Sequence, residues 1–141
     1  MREIKFRVWD KNRKRMYFWE NIEAIHNNGI LVIVADNNDW MLVPPNYELL
    51  QYTGLKDEQG KEIYEGDIII WEHIYAGREG PGEIVYLSHF DNESKGYYLG
   101  YWIKRNQNIV AFDPINSWRM MKPNSIEVLG NIYENPELLE K

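Results

Sequence analysis

The chain has 141 residues, 44% of them hydrophobic and 27% charged, with a formal net charge of −6 and no cysteine. This suits one ordinary globular domain, or a small lobe and a compact one, with a real core. Disulfides, thiolate nucleophiles and cysteine-ligated metal centres are excluded, and the longest purely apolar runs, 30–35 and 68–71, are far shorter than the ~20 residues of a membrane-spanning helix.

The opening MREIKFRVWD is charged from its second residue and has no apolar stretch or small-residue cleavage site, so no secretory signal and a cytoplasmic location are expected. Ile4, Phe6 and Val8 alternate with Lys5, Arg7 and Trp9, and the alternation resumes after residues 10–13 with Met16 and Phe18 against Tyr17 and Trp19. Period two on both sides of a polar turn predicts a β-hairpin. A second hairpin is expected from residues 22–26 and 30–34 about Asn28-Gly29. Residues 36–39 form another turn before a strand at 40–43. Pro44-Pro45 ends that strand and marks the expected boundary between an amino-terminal sheet lobe, 1–45, and a second part, 46–141, within one cooperative body.

From residue 47 to 53 the pattern reads as extended, with one helical turn at 47–50 an equal reading. Gly54, Gly60 and Gly66 then punctuate the chain every six residues, where the backbone reverses or passes close to a neighbour. Asp57 and Asp67 flank those turns, where a carboxylate accepts from nearby backbone amides. Residues 68–74 form the clearest strand. A turn is expected at 77–82, then strands at 83–90, 97–103 and 125–133. Asn135-Pro136 suggests a capped short terminal helix at 136–140. Short strands with a turn about every ten residues predict a mainly β fold closing into a small barrel rather than alternating βαβ units.

Three blocks, REIKFRVWD at the start, QYTGLKD with GKEIYEGDI in the middle and GNIYENPELL near the end, together resemble the YopX family of phage and prophage proteins. The resemblance spans most of the chain in order. It implies a mainly β fold with an SH3-like barrel in the carboxy-terminal part and a mobile-element origin. The string Glu65-Gly66-Asp67-Ile68 entering a long strand also looks like the turn that opens many SH3-like barrels, an analogy of fold alone. The family pattern supplies no catalytic residue.

Chemistry-bearing residues are sparse. His26, His73 and His89 lie far apart, in no metal-ligand spacing. A metal or acid–base site would need His73 and His89 to meet across neighbouring strands beside Asp91; surface histidines are the plainer reading. Residues 57–60 lack the spacing of a calcium loop, and 77–82 lack the Gly-Lys-Ser/Thr ending of a phosphate loop. Catalysis, a metal and a cofactor are therefore not expected.

Two binding modes are. Residues 1–19 hold seven basic and two acidic side chains, a net of +5, against −11 for the remainder. Lys5, Arg7, Trp9, Arg13 and Arg15 interleave cations with aromatic rings, the chemistry of a single-strand nucleic-acid binder. The preferred expectation is a non-enzymatic module that binds protein, either another copy of itself or a host or phage protein. Aromatic residues reach 14%, and Tyr97, Tyr98, Tyr101 and Trp102 occupy both faces of one strand, a composition favoured at interfaces.

Overall fold

The computed structural model describes residues 3–34, 40–91, 96–106, 108–111, 121–122 and 124–140. Two compact units divide the chain, Met1–Tyr52 and Thr53–Lys141. The division falls later in the chain than Pro45, because residues 47–51 pair along the first strand and the Tyr52 amide donates to the Lys5 carbonyl. Among the described residues the regular structure is all β apart from 3-10 turns at Trp19–Asn21 and Pro136–Leu139.

In the first unit, β1 (Phe6–Asp10) lies between β2 (Arg15–Tyr17) and the first half of β6 (Tyr47–Lys56), antiparallel to both. A second antiparallel sheet has the order β3 (Ile22–Ile25), β4 (Leu31–Val34), β5 (Trp40–Val43). Alternation explains the core between them: Val8 and Tyr17 of one sheet meet Leu31, Ile33 and Val43 of the other, and all five are buried. The β1–β2 turn is built by Asp10. Its carboxylate accepts from the Asn12 amide at 2.9 Å, the Arg13 amide at 3.1 Å and Arg13 Nη1 at 2.9 Å, and Lys14 takes the left-handed φ of 56° that closes the loop. The β3–β4 turn places positive φ on Gly29 alone, at 83°, while Asn28 Oδ1 accepts from the Ile30 amide. Residues 36–39 lie outside the described residues.

The second unit starts within β6, where Thr53 Oγ1 donates to the Ile63 carbonyl of β7 (Glu62–Tyr64) at 2.7 Å. Its main sheet is antiparallel in the order β11 (Asn108–Ala111), β10 (Gly96–Arg105), β9 (Gly77–Asp91), β8 (Asp67–His73), β12 (Glu127–Asn131). The core collects Ile63, Ile69, Trp71, Ile84, Ile103, Met121 and Ile126.

Two expectations are corrected here. Residues 77–82 are not a hairpin loop but the first part of the 15-residue β9, and the turn sits earlier, at 74–76. The glycines serve close approach instead: a Cβ on Gly82 would overlap the Ile103 side chain, and one on Gly80 would come within 2.9 Å of the Ile69 carbonyl oxygen. The terminal helix is a four-residue 3-10 turn without a side-chain cap. The Asn135 carboxamide accepts instead from the Asn131 amide at 3.3 Å.

Candidate functional site

The basic hairpin is only partly available to a ligand. Arg7 and Trp9 share a face of β1 as alternation requires, yet they are 5% and 7% exposed. This corrects their placement on an open stacking surface. β1 is the middle strand, with Met16 and Glu48 opposite Trp9 on either side, and long cross-strand neighbours cover a central strand on both faces. Lys5 lies along the Tyr52 ring, its ammonium 4.9 Å from the centroid and 3.4 Å from Glu3. Arg13 is paired with Asp10, and Lys11 meets Glu48 at 2.7 Å. Burial on its own would raise the Asp10 carboxyl, but the Arg13 side chain and the Arg13 and Asn12 amides outweigh it and hold the group below the usual carboxylate value. Arg15 is exposed, with its guanidinium 5.4 Å from the Tyr17 ring.

Beyond this hairpin the first unit turns apolar side chains outward. Phe18 is 46% exposed, Trp19 42% and Ile25 48%. Phe18 and Trp19 sit where β2 gives way to the 3-10 turn leading into β3, and the Trp19 ring tilts against Phe6 at 6.0 Å between centroids. Beside them a groove of about 240 Å³ is lined by Arg15, Met16, Tyr17, Phe18, Asn21, Ile33 and Met41. The sequence reading missed this corner because it assigned Phe18 and Trp19 to the alternation of the hairpin.

In the second unit Tyr101 packs on the core, and its ring meets Tyr86 edge-on at 5.3 Å from the opposite position on β9. Trp102 is half-buried. The side chains of Tyr97 and Tyr98 lie outside the described residues. The strand pairing separates His73 from His89: His73 pairs with Gly77 at the start of β9, whereas His89 lies opposite Tyr98 near its far end. Twelve residues of β9 thus separate the two positions along the strand, and the side chains of His89 and Asp91 lie outside the described residues. His73 Nδ1 instead accepts from the Tyr75 and Ala76 amides at 3.2 and 3.0 Å, closing the β8–β9 turn. Among the described residues no group of three or more His, Asp or Glu is placed to hold a metal ion.

The glycine-punctuated block is a knot of backbone contacts. Asp57 Oδ1 accepts from the Gln59 and Lys61 amides, each at 2.9 Å, and Oδ2 from the Val128 amide of β12 at 3.1 Å. Asp67 Oδ2 accepts from the Tyr64 amide at 2.8 Å. Gly54, Gly60 and Gly66 all have positive φ, and a Cβ on Gly66 would press on the Tyr133 ring at 3.0 Å. A polar cleft of about 230 Å³ opens nearby between β8, β12 and residues Lys122, Asn124 and Ser125. Four of its charged side chains pair off, Lys122 with Glu72 at 2.9 Å and Arg78 with Glu127 at 3.1 Å, which leaves Glu58 as the fifth. A second cleft holds Glu83, whose carboxyl burial pushes up against the opposing pull of Lys104.

This is a small antiparallel β protein with outward aromatic residues at a sheet edge. The sequence pattern of the family described as YopX protein matches residues 5–140, and the chain belongs to that family. It is 25% identical over 140 residues to the SPbeta prophage-derived uncharacterized protein YopX of Bacillus subtilis strain 168, covering 96% of this chain and 95% of the relative. Among solved structures it is similar to protein EF1440 from Enterococcus faecalis, with a TM-score of 0.60, 25% identity and 99% of each chain covered. It is also similar in fold to yopX from Bacillus subtilis, with a TM-score of 0.53, 21% identity and 96% and 97% covered. No helix of the described residues is long and apolar enough to cross a membrane.

Proposed function

We propose that this chain is a phage or prophage accessory protein that works by binding protein, another copy of itself or a host or phage protein, without catalysing a reaction. The prophage origin of a relative that matches it nearly end to end supports the setting, and a cytoplasmic site of action in the bacterial host goes with it. The second unit, with its 15-residue β9 shared between β8 and β10, is read as a small SH3-like barrel that serves as scaffold. The observation that carries the proposal is the aromatic corner of the first unit, where Phe18 and Trp19 are nearly half exposed beside two outermost strands. Aromatic residues of this kind supply contact area at interfaces, and an outermost strand offers backbone groups for pairing.

Sedimentation velocity of the full chain, together with affinity capture from host lysate, tests this reading. Self-association, or stoichiometric capture that is lost on Trp19→Ala, is the expected result. A strict monomer that captures nothing sinks it.

A further inference from the structure

We propose that residues 14–25 form a self-complementary docking segment on which a second copy of this chain pairs about a twofold axis, basic β2 against acidic β3 and aromatic corner against aromatic corner. The proposal rests on the binding reading above and names its surface and its partner. β2 and β3 are both outermost in their sheets, so each has one side along which another strand can add. Lys14 and Arg15 stand at the basic end, Glu20 and Glu23 toward the acidic end, and all four side chains are exposed. None of the four has an ion-pair partner among the described residues, whereas the neighbouring Lys11 and Arg13 are committed to Glu48 and Asp10.

Phe18, Trp19 and Ile25 complete the segment with apolar surface. The order along the chain is cations, aromatics, carboxylates, and Arg15 and Glu23 are equally far in sequence from Trp19. A segment of that order meets its complement when a second copy runs antiparallel to it. Arg15 of each copy then faces Glu23 of the other with Lys14 one position further out, Glu20 lies beside the axis, and the exposed rings meet near it, the self-complementarity that a twofold interface requires. A parallel arrangement would set like charges opposite one another, which is repulsive. The charge imbalance between the two ends of the segment thus selects the partner and its direction.

Sedimentation equilibrium on the full chain at about 50 mM salt tests the pairing. The wild type is expected to be a dimer. Lys14→Glu with Arg15→Glu, and separately Glu20→Lys with Glu23→Lys, should each weaken dimerisation by at least about tenfold, since like charges then face each other. An equimolar mixture of the two variants should recover the dimer, because every facing pair is again opposite in sign. Circular dichroism establishes that the variants are folded, and the single changes Arg15→Glu and Glu23→Lys make the same test if a double variant is not. A wild-type monomer overturns the proposal, and so does a mixture that fails to re-associate. A wild-type assembly indifferent to both charge reversals overturns this segment while leaving the binding reading in place.

Discussion

Asp57 is 8% exposed, and its two carboxylate oxygens receive three backbone amides, one from β12. Hydrogen bonds to a charged acceptor contribute about 1.5–3 kcal/mol each when the donors are otherwise left dry. The Gln59 and Lys61 amides lie in an exposed loop where water substitutes, so Asp57→Ala is expected to cost about 2–3 kcal/mol, measured by urea denaturation. Glu83 makes the opposite case. Burial holds its carboxyl above the ordinary glutamate value of 4.5, with Lys104 opposing. A folded pKa above the unfolded one means a contribution that is complete below the unfolded pKa and lost as pH rises through the folded one. Glu83→Gln should therefore raise Tm at pH 7, with the gain fading by about pH 4; a gain independent of pH would contradict the burial argument. That Asp57 and Asp67 accept from local amides is readable from aspartate beside glycine. The Asp57 bond to Val128 was not readable, because it spans 71 positions of sequence, and no local pattern encodes so distant a partner.

Strand β9 shows what glycine does and does not disclose. Gly77, Gly80 and Gly82 in six residues suggested a loop, yet they lie in a strand that pairs with β8 on one side and β10 on the other. Glycine signals either a reversal or a close approach, and sequence alone does not separate the two. Gly82 is a site of close approach: an added Cβ would overlap Ile103 and lie 3.3 Å from the Trp71 ring. Gly82→Val should cost about 2–3 kcal/mol through overpacking. Gly77→Ala, with φ of 80° but open space around the new methyl, should cost only the ~1–2 kcal/mol of a left-handed backbone. Thermal melts of the two variants compare the causes, and a Gly82→Val loss no larger than that of Gly77→Ala would contradict the packing argument, since Gly82 does not have positive φ. The hairpin of β1 and β2 was legible because alternation and turn chemistry agree there. The burial of Arg7 and Trp9 was not, since alternation assigns faces but leaves unsaid whether neighbouring strands cover the second one.

For the whole molecule, the question is what its +5 opening can attract against the −11 of the rest. A single-strand binder needs cations and stacking rings exposed together. Here Trp9 and Arg7 are buried, and Lys11 and Arg13 are held by carboxylates. Lys14 and Arg15 remain as exposed cations without an acidic partner among the described residues. Two phosphate contacts on a single strand give a slope of log K against log salt of about −1.4. Fluorescence anisotropy of a labelled oligonucleotide should therefore show no binding at micromolar protein near 0.15 M salt, and a slope no steeper than about −1.5 for whatever binds at low salt. Arg7→Ala is expected to lower Tm without changing that slope, because its guanidinium lies inside the first unit. A slope of about −3 or steeper would require cations drawn from beyond this pair, and nucleic acid would then displace protein as the partner of the basic hairpin.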